Sequence, residues 1–153
     1  MIVENPTPSL INDNFVKVLE SYFFCKFPNA YRQFLLKTNG GKPTKIYFIV
    51  KTTKKLGTVH YFLGISPDRY KGLLEYEKVF CGRIPSNTLA IASDPGGDLI
   101  LLSVKGQDYG KVYYWDHNWE AEDGQTPDYS NLTLIADSFE DFLSSLKSED
   151  EIE

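Results

Sequence analysis

Between positions 10 and 23 the apolar residues Leu10, Ile11, Phe15, Val18, Leu19 and Tyr22 recur at helical spacing, which predicts an amphipathic helix. Pro28 suits the first turn of a second helix that would bury Tyr31, Phe34 and Leu35. That helix should stop at Asn39-Gly40-Gly41, where a left-handed cap is available. After Pro43 the texture becomes β-rich. Positions 46–51 and 58–63 read as antiparallel neighbours joined through Lys54-Lys55-Leu56-Gly57. Positions 67–80 return to a helical period, with Leu73, Leu74, Tyr76, Val79 and Phe80 apolar and Gly72 weakening the first turn.

Three further strands are expected at 89–93, 99–104 and 111–116, forming a meander separated by turn-rich segments. Positions 118–131 are polar and acidic with no regular period, so they predict an exposed loop before a strand at 132–136. Asp137 and Glu140 have capping-box spacing ahead of a closing helix with Phe139, Phe142, Leu143 and Leu146, and 148–153 should be frayed. The expectation is one α+β domain over residues 1–153. It would have a mostly antiparallel sheet of about six strands packed under an N-terminal helix pair, a middle helix and a C-terminal helix.

Ten Tyr, ten Phe and two Trp in 153 residues supply enough large side chains for a core without staples. Cys25 and Cys81 stand alone, so neither a disulfide framework nor a four-cysteine zinc site is expected; they read as buried thiols. No apolar run approaches the roughly 18 residues of a membrane span, and Met1-Ile2-Val3-Glu4-Asn5-Pro6 lacks a secretion pattern. A cytoplasmic protein without a membrane partner is expected.

Charge changes the picture. The net charge is −5, yet residues 1–93 hold thirteen Lys/Arg against six Asp/Glu, whereas residues 94–153 hold three against fifteen. The halves therefore carry +7 and −12, and no basic residue interrupts the stretch from Asp116 to Asp128. That balance argues against direct nucleic-acid binding and suits either a basic partner or an acidic surface kept for solubility.

Little chemistry is visible. Gly106 and Gly110 are too closely spaced for a phosphate loop, and Val112 stands where Ser or Thr is needed. Asp94 and Asp98 lack the spaced oxygens and distal Glu of a calcium loop. His117 beside Asp116 could move a proton, but no activated Ser or Cys accompanies it, so no catalytic residue, metal or cofactor is assigned. What remains is an acidic and aromatic segment. Alternate residues of 112–115 should face the core, and the loop beyond Trp115 is the candidate interface. The candidate contacts are Asp108, Tyr109, Asp116, His117, Trp119, Glu120, Glu122, Asp123 and Asp128.

Four ordered blocks carry a resemblance: Phe27-Pro28-Asn29-Ala30-Tyr31-Arg32-Gln33-Phe34-Leu35-Leu36-Lys37-Thr38-Asn39-Gly40-Gly41, then Leu89-Ala90-Ile91-Ala92-Ser93-Asp94-Pro95-Gly96-Gly97-Asp98-Leu99-Ile100-Leu101-Leu102, then Gly110-Lys111-Val112-Tyr113-Tyr114-Trp115-Asp116-His117, and Ile135-Ala136-Asp137-Ser138-Phe139-Glu140-Asp141-Phe142-Leu143. Together they resemble the SUKH superfamily over nearly the whole chain, and within it small bacterial antitoxins of the YobK type. The resemblance implies an α+β fold and a non-catalytic immunity protein that binds and neutralises a cognate secreted polymorphic toxin, often a nuclease. A regulatory scaffold of the fungal cell-wall type is the alternative it leaves open. A monomer or weak homodimer is expected.

Overall fold

The computed structural model describes residues 3–152. In chain order it contains β1 (Val3–Glu4), α1 (Asp13–Tyr22), α2 (Asn29–Thr38), β2 (Lys42–Pro43), β3 (Tyr47–Val50), β4 (Lys55–Thr58), β5 (Tyr61–Phe62), α3 (Leu73–Phe80), β6 (Thr88–Ser93), β7 (Leu99–Ser103), β8 (Val112–Trp115), β9 (Leu132–Ala136), α4 (Phe139–Ser145) and α5 (Glu149–Ile152). The architecture is α+β, with every named strand pair antiparallel.

The central sheet has the order β5-β6-β7-β8-β9. Every residue of β6, β7 and β8 is buried, so these strands are near-continuous apolar runs covered on both faces. Side-chain alternation assigns the layers. Tyr114 meets Phe48 of β3 on one face, where Phe62, Phe34, Phe139 and Phe142 join α2, α4 and the sheet through edge-on ring contacts. Its neighbour Trp115 points the other way and meets Phe80 of α3 at 5.7 Å. The expected meander is β6-β7-β8, but both faces of β8 are buried rather than one.

Several boundaries differ from the sequence reading, each for a local reason. Asn12 accepts a hydrogen bond from the Phe15 amide, so α1 starts at Asp13 and Pro8–Leu10 forms a separate short turn. Lys55-Leu56-Gly57 belongs to strand β4, and residues 51–54 make the connection, with Lys54 at φ +58°. This hairpin pairs apart from the central sheet, which therefore has five strands where about six were expected. The strand expected at 58–63 is broken between β4 and β5, which belong to different sheets. Gly72 divides 67–80 into a turn at Arg69–Lys71 and helix α3.

Ser138, not Asp137, caps α4 by accepting from the Asp141 amide. The tail read as frayed forms α5, tied by a Lys45–Glu151 ion pair at 2.5 Å. Both thiols are free; Cys25 is half-buried and Cys81 is exposed, contrary to the expectation of two buried thiols.

The Asn39-Gly40-Gly41 block closes α2 as expected, with all three residues at positive φ. A Cβ on Gly40 would lie 2.5 Å from the Phe62 carbonyl oxygen, so only glycine fits. The Asn39 amide group donates to the Ile65 carbonyl at 2.7 Å and accepts from the Ile65 amide at 2.8 Å. One buried side chain thus holds the end of α2 against the segment after β5.

Candidate protein-binding site

The acidic segment begins where β8 ends. Asp116 accepts from the Asn118 amide at 3.0 Å and caps the short turn His117–Trp119. That turn sits beside the β6–β7 connection, in which Asp94 accepts from the Gly96 and Asp98 amides. Asp98 is 5% exposed and is the anchor between the two. It accepts from the Tyr114 hydroxyl and from the His117 amide at 3.0 Å, and His117 Nδ1 lies 2.5 Å from Oδ1. Burial opposes ionisation of Asp98, but the bonds from Tyr114 and His117 outweigh it and hold its pKa below the usual aspartate value. Burial, reinforced by the same carboxylate, pushes the Tyr114 hydroxyl well above the ordinary tyrosine range.

Beyond this turn the chain is pinned along its length. Glu120 takes two hydrogen bonds from Arg83, at 3.0 and 2.9 Å, and that bidentate pairing lowers the Glu120 pKa. Arg83 in turn lies over the Phe80 ring. The Gln125 amide donates to the Glu122 carbonyl, and Asp128 receives the Ser130 amide. Tyr129 folds back onto Tyr113, its hydroxyl donating to Asp108 at 2.6 Å. Asn131 closes the loop by donating to the Asp116 carbonyl at 2.9 Å.

The nine candidate contacts therefore fall in two places. Asp108 and Tyr109 precede β8, whereas Asp116, His117, Trp119, Glu120, Glu122 and Asp123 follow it, with Asp128 further along the same loop. Asp108 accepts from Ser103, Tyr113 and Tyr129, and these bonds hold its pKa low against its burial. Tyr109 donates to the Lys26 carbonyl at 2.7 Å. Trp119 is 75% exposed, and Glu122 and Asp123 are exposed with no ion pair among the described residues. Asp116 and His117 are half-buried.

Sequence reasoning left Asp98 in a turn-rich segment between two strands, and missed that it holds His117. It also missed Arg83, Asn131 and Asn87, the last of which donates to the Tyr129 hydroxyl at 2.6 Å; these roles depend on partners 15 to 42 positions away. No local spacing signals such pairs.

Among the described residues, ligand atoms of Asp98, Asp116 and His117 lie within 4.8 Å of one another. The Asp98 oxygens are already engaged by Tyr114 and His117, which is the pattern of a carboxylate that fixes backbone and ring. Also among the described residues, no helix is long and apolar enough to cross a membrane.

No curated protein matches the chain convincingly. A family model described as the SMI1 / KNR4 family (SUKH-1) matches residues 10–145, which include the Asn39-Gly40-Gly41 closure, the Asp98 anchor, the pinned acidic loop and α4. By that match over most of its length, the chain belongs to the SMI1 / KNR4 (SUKH-1) family.

Proposed function

We propose that this protein is a non-catalytic immunity protein of the cytoplasm that binds a cognate secreted toxin domain, a basic nuclease, and blocks its active groove. Membership of the SUKH-1 family is consistent with such a role. The observation that carries the reading is the acidic loop itself. Asp98, Arg83, Asn131 and Asp108 fix a long polar segment that displays Trp119, Glu122 and Asp123 to solvent. A segment held before binding loses little conformational freedom on association, so more of its contact energy survives as affinity. Exposed Trp is a frequent binding anchor, and uncompensated carboxylates select a basic surface and speed encounter.

His117 supports the same reading. Its backbone amide and Nδ1 are both directed at Asp98, which suits a positioning role better than proton transfer to a substrate. The decisive experiment is calorimetric titration, at two salt concentrations, with the C-terminal domain of the adjoining gene's product, which the immunity reading takes to be the toxin. Tight binding that weakens with added salt is expected. Tight binding indifferent to salt would keep an immunity protein but remove the acidic loop as its contact. No binding at either salt would overturn the reading in favour of a regulatory scaffold.

A further inference from the structure

At the C-terminal end of α1 the backbone makes a Schellman closure, in which the Cys25 amide donates to the Glu20 carbonyl and the Phe24 amide to the Ser21 carbonyl. Phe24 therefore holds the position that glycine normally takes, at φ +53°. A bulky residue is disfavoured there, because its Cβ crowds the backbone. Burial does not explain it either, since Phe24 is 85% exposed. Neither local structure nor the core requires this ring, and an outlier of that kind points to function.

Phe24 lies on one wall of an open groove of about 880 Å³. Tyr22 and Phe23 share that wall, Ile84 and Val104 contribute apolar lining, and Gly124 to Pro127 of the acidic loop line it as well. Glu77 and Lys105 also line the groove. Glu77 is half-buried and makes no ion pair among the described residues, and burial raises its pKa despite the field of Lys105. Through Gly82, Gly124 and Gln125 the groove continues into the surface that carries Glu122 and Asp123.

Resting on the immunity reading above, we infer that this groove is the apolar half of the toxin contact. It receives an apolar side chain against Phe24 and a basic side chain of the toxin at Glu77, while the loop acids steer the surrounding basic surface toward it. Charge complementarity selects this occupant. The groove and its continuation carry Glu77, Glu120, Glu122 and Asp123 against Lys105 and Arg83, and this excess of acid is satisfied by Arg or Lys and opposed by an acidic surface.

The test uses Phe24→Asn and Glu77→Gln in titrations against the adjoining gene's C-terminal domain. Asn is tolerated at positive φ, so Phe24→Asn should raise the thermal midpoint or leave it unchanged while weakening binding tenfold or more. Glu77→Gln should weaken binding at least several-fold and reduce its salt dependence. Wild-type affinity in both variants, with the wild type itself binding tightly, would overturn the groove and leave the immunity reading intact. Absence of binding by the wild type would overturn both. A wild-type dimer that Phe24→Asn converts to a monomer in sedimentation would assign the groove to a second copy and likewise overturn the inference.

Discussion

Asp98 is a buried charge whose partners all lie in this chain, so its removal leaves more than a missing bond. Asp98→Ala would strand the Tyr114 hydroxyl and release the His117 amide and ring. Deleting one member of such a set should destabilise the protein by about 3 kcal/mol in urea unfolding, with Asp98→Asn milder because it keeps an acceptor. The same carboxylate sets an acid limit. Asp98 and Asp108 both have folded pKa values below 3.8, so each contributes stability that is fully present above that value and lost as pH falls through its folded pKa. The unfolding midpoint should therefore drop as pH falls below about 4, and Asp98→Asn should flatten that part of the profile. An unchanged acid profile in Asp98→Asn would show that the pairing contributes nothing. At this scale the sequence was only partly legible. Asp98 stood inside a recognisable turn, but Ser103, Tyr113 and Tyr129 converge on Asp108 only through the fold.

Among the elements, the β3–β4 hairpin shows how composition misleads. Lys54-Lys55-Leu56-Gly57 has the polarity and the glycine of a turn, yet Gly57 pairs with Phe48 inside the ladder. A Cβ there would sit 2.2 Å from the Phe48 ring, so the glycine makes room for a ring that also meets Tyr114 and Phe142. The requirement comes from the facing strand, which local propensity does not contain. Gly57→Ala should destabilise the protein by about 2 kcal/mol, since the ring must leave its position. In a double-mutant cycle with Phe48→Leu the two losses should be less than additive. Full additivity in urea unfolding would remove the contact as the reason for Gly57. The strongly patterned elements were legible by contrast. The apolar runs of β6 and β7 and the helical periods of α2 and α4 are dictated by burial, which sequence spacing records directly.

Over the whole molecule, charge is sorted along the chain. Lys51, Lys54 and Lys55 stand exposed on the hairpin, whereas the acids from Asp116 to Asp128 belong to the loop beyond β8. A molecule with a basic region and an acidic region meets a basic partner in a preferred orientation, because the acidic region attracts it and the basic region repels it. This orientation appears in the association rate more than in the dissociation rate, since exposed rim charges act before contact while buried anchors hold afterwards. Glu122→Lys with Asp123→Lys should therefore lower the association rate with the proposed toxin domain by about tenfold at low salt, with little change in dissociation. Lys51→Glu with Lys54→Glu should leave that rate unchanged or raise it. Trp119→Ala should do the reverse of the acid swap, speeding dissociation while sparing association. Stopped-flow measurements at two ionic strengths separate these cases. If the lysine swap were the slow one and the acid swap silent, the contact would lie on the hairpin, and the loop's hydrogen-bonded anchors would serve the fold alone.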